Sequence, residues 1–161
     1  VRATPVDLSA AATTTVSLRV DGLMVPFDRE VTRVGLAEFF ATQNVGVRLN
    51  GTLPFGLVRR CAALLDVGGH HREGRALRER ADVVRTALDA GMADATALLV
   101  ARADAAALAL DAAAALVSAD GGRGVVRGSD TERLFREAAF VLVAASRPEL
   151  KTALLHRFSG T

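Results

Sequence analysis

The chain has 161 residues, of which 50% are hydrophobic and 24% are charged, and its formal net charge is +2. This composition is typical of one helix-prone globular domain, with or without part of a second, and it excludes a disordered protein. No Lys/Arg run interleaved with aromatic residues indicates nucleic-acid binding, and charges interrupt every long apolar stretch, which argues against a membrane span. We therefore expect a cytoplasmic protein.

The first predicted structure is a short β-hairpin over about residues 13–26. Apolar and polar residues alternate from Val16 to Val20, as in a strand with one buried face. Asp21-Gly22 is a strong two-residue turn signal, and Leu23–Val25 provides the second strand. Residues 1–12 are expected to form a loose lead-in. Because a two-stranded ribbon buries too little to be stable alone, it must join a larger sheet or lie against helices.

The middle of the chain predicts helices. Residues 34–50 allow either a short helix or an irregular lead-in segment. A helix follows over Thr52–Val67, with Thr52 as its N-cap and Pro54 in its first turn, and Gly68-Gly69 ends it. Its apolar stripe comprises Leu57, Val58, Cys61 and Leu65. The single cysteine excludes a disulfide framework and predicts a small buried side chain.

Two longer helices come next. The helix over Glu73–Ala90 is amphipathic and stops at Gly91. Its apolar face comprises Leu77, Ala81, Val84 and Leu88. The Ala-rich helix over Met92–Ala119 gathers its large apolar residues on one side, namely Leu98, Leu99, Leu110, Leu116 and Val117. We expect a mainly α protein, a four-helix up-down bundle preceded by the short hairpin.

Two capping boxes predict the last helices. Ser129 stands three residues before Glu132, and Ser146 stands three residues before Glu149. Between the Ala-rich helix and the first box lies Gly121-Gly122-Arg123-Gly124. The stretch 121–157 thus predicts a Gly-rich turn, a helix, a short break and a final helix.

This stretch resembles the end of the acyl-CoA dehydrogenase family. That family has a Gly-Gly-x-Gly turn, an Arg-Leu-Tyr-Arg-Asp-Ala helix, a Tyr-Glu-Gly-Thr loop and a last helix, which align with residues 121–157 without a gap. Val20–Pro26 resembles the end of the family's middle β-domain. The resemblance implies that residues 1–35 are the tail end of a β-domain and residues 36–161 the C-terminal helical domain. The remaining domains of the family are not in this chain.

The resemblance also implies an activity and its loss. Members of the family are flavoproteins of lipid metabolism that oxidise CH–CH groups of acyl-CoA, with FAD as cofactor and a Glu as base. Here Ala144 and Ala145 stand where Tyr and Glu are expected. The other position that holds the base in some members, at Val45–Arg48, has no carboxylate either. Glu38, further upstream, has two interpretations: it is either a displaced base or a solvated residue.

The implied cofactor contacts are few. Gly121, Gly122 and Gly124 match the turn that approaches the FAD of a neighbouring subunit, although a helix C-cap and turn would need the same glycines. Ser118 stands where the family often has Gln, and the short connection Val67–Arg72 lacks the family's Arg-x-x-Phe-Gly segment for the FAD pyrophosphate. FAD is therefore shared with a partner subunit or lost.

Several other residues have an interpretation. The resemblance places Arg48 near the CoA moiety and matches Arg136-Glu137 to a structural pair. Arg102, where the family has Lys, is expected to form an ion pair with Glu132 or Glu137 in preference to binding substrate. Adjacent His70-His71 near Glu73 are expected in a solvent loop and not in a metal site, because their side chains diverge. Arg133 and Arg157 are expected at the surface.

Two functions are consistent with these features. The chain is either the C-terminal domain of an acyl-CoA dehydrogenase-like flavoprotein, acting as a fragment or a supporting subunit without the catalytic Glu, or a stand-alone helical oligomerisation module without flavin. Both imply a homo- or hetero-oligomer formed through the bundle. A third hypothesis, an independent enzyme with new chemistry, has little support, because the sequence shows neither a nucleophile–base pair nor a metal-binding cluster.

Overall fold

The computed structural model of the chain describes residues 1–5, 15–145 and 147–160 and is mainly helical, with one two-stranded antiparallel sheet. By its internal contacts the chain divides into two units, Val1–Thr42 and Gln43–Thr161. Within the described residues, no helix combines the length and the apolar character needed to cross a lipid bilayer. The predicted mainly helical class with a short β-hairpin near the N-terminus is confirmed.

The first unit contains strands β1 (Arg2–Pro5) and β2 (Val16–Arg19), which pair antiparallel with Arg2 opposite Arg19 and Pro5 opposite Val16. The predicted hairpin was wrong in its pairing, because Leu23–Val25 forms no strand. Gly22 does adopt a φ of +59°, as the Asp-Gly signal requires. An Asp-Gly turn signal indicates only that the glycine adopts a positive φ, and it does not determine which segment pairs with β2.

The prediction of a loose lead-in was also wrong for residues 2–5, because they form strand β1. Residues 6–12 of that lead-in, and Thr13 and Thr14 of the predicted hairpin, lie outside the described residues. A 3₁₀ turn over Phe27–Arg29 and helix α1 (Leu36–Ala41) complete the unit. Between residues 15 and 39 every side chain is exposed.

The second unit contains six helices among its described residues. They are α2 (Gln43–Asn50), α3 (Leu53–Val67), α4 (His71–Ala90), α5 (Ala95–Asp120), α6 (Asp130–Val143) and α7 (Pro148–Ser159). Short 3₁₀ turns over Gly91–Ala93 and Gly121–Val125 precede and follow α5. The ambiguous segment 34–50 is thus helical, as α1 and α2.

The ends of α3 and α4 agree with the turn signals. Gly68 caps α3, with Gly69 at a φ of +85°, and Gly91 caps α4. Pro54 lies in the first turn of α3. Thr52 is the N-cap residue of α3, as predicted, but its side chain forms no cap bond, because its hydroxyl donates to the Leu49 carbonyl oxygen at 2.6 Å. Thr52 itself has helical dihedral angles, so its side chain points back into the preceding turn.

Helix α5 begins three residues later than predicted because Asp94 is its N-cap. The Asp94 carboxylate accepts hydrogen bonds from the backbone N–H groups of Thr96, at 2.8 Å, and Ala97, at 3.2 Å. A carboxylate at this position satisfies two otherwise unpaired N–H donors, and its negative charge interacts favourably with the positive end of the helix dipole. The backbone of Gly91 packs against Leu98, where a Cβ atom would stand 2.8 Å from the Leu98 Cα atom.

The core surrounds α5 on all sides. This helix contacts α2, α3, α4, α6 and α7. The buried small residues of its central turns face different neighbours, namely Ala101, Ala103, Ala105, Ala106, Ala107, Ala109, Ala112 and Ala113. The predicted one-sided apolar face was therefore too narrow, because a helix that is apolar all round is the centre of its fold. Asp104 and Asp111 reach the rim and pair there with Arg157 and Arg80.

Candidate functional site

The Gly-rich turn connects the centre of the fold to α6. Gly121 is the C-cap of α5, and its φ of +59° and ψ of −139° lie in a region that is open essentially to glycine alone. A 3₁₀ turn follows over Gly121–Val125. The conformation of Gly121 is therefore required by the path of the chain, whatever else the turn does.

Gly124 is required for a different reason, which is packing. It is buried, and a Cβ atom there would stand 3.2 Å from the Cα of Val117, the Cβ of Asp120 and the Cγ2 of Thr131. Thr131, which is only 4% exposed, donates its hydroxyl hydrogen bond to the Asp120 carboxylate. This contact fixes the start of α6 against the end of α5.

Gly122 has neither requirement. Its φ is not positive, its surface is exposed, and a Cβ atom there would meet nothing within 4 Å. Of the three glycines that the sequence singles out, this is the one whose missing side chain serves nothing within the described residues. Gly46 and Gly56 are equally open and have no positive φ, so the space at Gly122 allows an external group to approach the backbone but is not specific for one.

The other part of the site is the connection between α6 and α7. Helix α6 ends at Val143 with Ala144 as its C-cap. Ala145 has a φ of +52°, in the left-handed region that residues other than glycine rarely adopt. Ser146, with its predicted capping box, lies outside the described residues. The N-cap of α7 is Arg147, and Pro148 occupies the first turn. The methyl groups of Ala144 and Ala145 offer no base.

Arg102 connects this loop to the centre of the fold. It is 1% exposed, and its Nη2 donates to the carbonyl oxygens of Val141, at 3.1 Å, and Ala144, at 3.4 Å. The predicted ion pair with Glu132 or Glu137 was wrong, because these glutamates pair with Arg136 and Arg133 of their own helix. Arg102 instead satisfies carbonyl groups at the C-terminal end of α6, where no intrahelical donors remain.

The environment of Arg102 is unusual for a buried cation. Its Nη1 has no hydrogen-bond partner among the described residues, and burial alone lowers the pKa of the guanidinium. A pocket of about 240 Å³ lies beside it, and Arg147 also lines this pocket. Ala145 lies at the exposed side of the same pocket. Arg147 Nη1 donates to the Gln43 side-chain oxygen at 3.4 Å, so this loop is also connected to the start of α2.

The other predicted site residues have surroundings of their own. Arg48, assigned to CoA by resemblance, pairs with Asp89 of α4, its Nε and Nη2 donating to one carboxylate oxygen at 2.8 and 2.5 Å. Glu38 is exposed on α1, in the first unit. Ser118 donates to the Ala114 carbonyl oxygen within α5 at 2.9 Å.

The arginines of α6 pair along the helix. Arg136 pairs with Glu132, and Arg133 pairs with Glu137, each across one turn, so the predicted Arg136-Glu137 pair was wrong. Adjacent residues point to different sides of a helix and do not meet. The bond from Arg136, and then that from the Gly128 N–H, hold the pKa of Glu132 below its usual value. Arg133 and Arg157 are exposed, as predicted.

The Ser129 capping box is confirmed in one of its two bonds. Ser129 Oγ accepts from the Glu132 N–H at 3.1 Å. The Glu132 carboxylate accepts from the Gly128 N–H at 3.4 Å, one residue before the N–H that the box predicts. The Ser129 N–H donates instead to the Val126 carbonyl oxygen at 3.1 Å, which explains the shifted partner.

Two further predicted positions have simple structural roles. Cys61 is fully buried, as predicted, and burial raises the pKa of its thiol to about 11, so it is an inert core residue. His71 lies 3.6 Å from the Asp66 carboxylate, at the start of α4. Among the residues that the structure describes, no group of three His, Cys, Asp or Glu side chains is placed to hold a metal ion.

Sequence reasoning did not find Arg147 or Gln43, which are 104 positions apart. The sequence around a long side chain that follows a helix end does not indicate a hydrogen-bond partner so far away in the chain. No protein-family model matches the chain, and no curated protein or solved structure matches it either.

Proposed function

We propose that the chain is the C-terminal helical domain of an acyl-CoA dehydrogenase-like flavoprotein of CH–CH oxidation, without the catalytic Glu, and that it supports a catalytic partner subunit. The observation that carries the proposal is Gly122. Gly121 and Gly124 are explained within the chain, whereas Gly122 has open space around it. An exposed turn without Cβ atoms allows backbone N–H groups to approach a phosphate or a flavin ring edge.

The arrangement of the helices supports the same proposal. Contacts join α3 to α4, α4 to α5, α5 to α6, and α6 back to α3, and α5 also packs directly against α3 across the group. The connections between them are short, which favours antiparallel neighbours. We propose that these four helices form an up-down bundle, with α7 packed against the outside of α5.

The loop between α6 and α7 supports the loss of independent catalysis. Proton abstraction from a thioester needs a carboxylate or another base within hydrogen-bond reach. Ala144 and Ala145 have none, and the nearest carboxylate along the chain, Glu149, lies on α7 beside Thr152, in a groove between α5 and α7. FAD and acyl-CoA would accordingly be bound mainly by other parts of the assembly.

The first unit supports an incomplete assembly. Its described apolar side chains are exposed, including Met24 at 87%, Phe27 at 83% and Val31 at 96%. Two short strands cannot bury them, because a two-stranded ribbon is marginally stable at best. A sheet or a second subunit that covers this segment is part of the proposal.

The experiment is a determination of subunit composition and flavin content on the native assembly, purified from the cells that make it. The proposal predicts FAD in the assembly, fewer flavins than copies of this chain, and a second chain that carries a catalytic carboxylate. A colourless assembly of this chain alone, which does not take up added FAD, would contradict the proposal.

A second function is a helical oligomerisation module without flavin. The groove between α5 and α7, with a volume of about 770 Å³, favours it. Leu99, Val100 and Ala153 line the groove, and Asp104 and Arg157 pair at its rim. The colourless outcome, combined with a stable oligomer in solution, would select this function.

A further inference from the structure

The pocket beside Arg102 is cationic, and no Asp or Glu is found among the described residues that line it. Arg102 and Arg147 both line it, together with the amide side chains of Gln43 and Asn50. Neither arginine forms an ion pair with an Asp or Glu among the described residues. The pocket thus carries two guanidinium groups and no compensating carboxylate from its own lining.

This arrangement is costly unless something else supplies negative charge. A buried guanidinium loses its hydration, and Arg102 recovers part of it through the two carbonyl oxygens of Val141 and Ala144. Its Nη1 is buried and finds no hydrogen-bond partner in the part of the chain that the structure describes. A neutral acceptor would satisfy that N–H, but only an anion would also compensate the charge.

The rest of the lining restricts the anion. Val47, Leu99 and Leu150 contribute aliphatic surface beside the polar groups. An inorganic oxyanion would leave this surface without a partner, whereas a carboxylate on a short aliphatic chain would use both. The volume of about 240 Å³ suits a molecule of a few carbon atoms.

We infer that the pocket between α2, α5 and the α6–α7 loop binds a short aliphatic carboxylate, whose oxygens lie between Arg102 and Arg147. Ala145 also lines this pocket and is exposed to solvent. The carboxylate comes either from a free small molecule or from an acidic side chain of the protein itself. This site is separate from the Gly turn and does not depend on flavin.

The first experiment measures binding of butyrate to the whole chain by saturation-transfer NMR and by the rise in melting temperature, at constant ionic strength set with chloride. We expect a concentration-dependent rise with butyrate, a smaller one with acetate and none with inorganic phosphate, since a ligand that binds only the folded state stabilises it. An equal rise with all three anions would overturn the inference, because it would be a general salt effect.

Arg102→Met tests the role of the buried cation, with Arg75→Met as its matched control on the exposed surface of α4. We expect the Arg102 variant to bind butyrate roughly tenfold more weakly or worse, the loss typical of a hydrogen bond to a charged group. The control should bind as the wild type does. Equal binding by both variants would overturn the inference.

Ala145→Glu and Ala145→Gln keep the test decisive if Arg102→Met does not fold. The Glu variant places a carboxylate at the opening of the pocket, beside both arginines, and distinguishes an intramolecular source from a free ligand. We expect it to melt at a higher temperature than the Gln variant and to lose the response to butyrate, which the Gln variant retains in part. Equal melting temperatures and equal butyrate binding would overturn the inference.

Discussion

Gly124 and Thr131 pack so closely that a Cβ atom on the glycine would stand 3.2 Å from the Thr131 methyl carbon. Gly124→Ala therefore forces the end of α5 and the start of α6 apart. We expect a loss of about 1–3 kcal/mol in the free energy of unfolding, the usual cost of overpacking. Urea denaturation measures it. Gly122→Ala, in the same turn, is the control and should change the value by less than about 0.5 kcal/mol.

Asp94 caps α5, the central helix, with two hydrogen bonds to backbone N–H groups. Asp94→Ala removes both and should cost about 0.5–2 kcal/mol of stability. Asp94→Asn retains an acceptor and should lose less. Thermal unfolding followed by circular dichroism compares the two variants, and equal losses would show that the cap bonds are not the cause.

Asp130 connects α6 to α3 through Arg60, at 2.9 Å, and pairs with Arg133 of its own helix at 3.1 Å. The bond from Arg133, and then that from Arg60, hold the pKa of the carboxyl below its usual range. A depressed pKa in the folded state stabilises the protein above the unfolded value of about 3.9, and the effect is lost as pH falls through the folded value.

Asp130→Asn should therefore lower stability at neutral pH and flatten the loss of stability below about pH 4. Urea denaturation as a function of pH measures both effects. Because the pair is exposed, salt should weaken the difference between variant and wild type. If the free energy of unfolding falls equally with pH below about pH 4 in both proteins, Asp130 does not contribute to the acid dependence of stability.

Ala145 holds a φ of +52°, which glycine adopts without strain. Ala145→Gly should stabilise the chain by about 1 kcal/mol, because relief of the left-handed strain exceeds the added entropy of glycine in the unfolded chain. Ala144, at a φ of −62°, provides the matched control, and Ala144→Gly should destabilise by about 0.4–1 kcal/mol. Equal shifts in the two unfolding curves would contradict the assignment of strain to position 145.

Much of the helical fold follows from local signals in the sequence. Gly68, Gly91 and Gly121 each end a helix where the sequence predicts it. Gly69 and Gly121 have a positive φ at these ends, whereas the backbone of Gly91 packs against Leu98. Ser129 likewise begins α6. The partner of β2 was not predictable in this way, since pairing depends on segments that are distant in sequence.

The site was predicted less well, and for the same reason. Arg102 is recognisable as a cation on an apolar helix, but its partners are the carbonyl oxygens of Val141 and Ala144, about forty residues away. Every residue carries a carbonyl group, so the sequence cannot indicate which one is used. The favoured carboxylate partners, Glu132 and Glu137, are occupied by arginines one turn away, which local helix spacing does predict.

The supporting role of the Gly turn is tested most directly by the flavin content of the native assembly carrying Gly122→Ala. Among the described residues a Cβ atom at this position meets nothing within 4 Å, so folding and melting temperature should be unchanged. We predict that the variant assembly retains the same subunits but less FAD than the wild type after gel filtration. Full retention of FAD by the variant, or no FAD in the wild-type assembly, would contradict the proposed function.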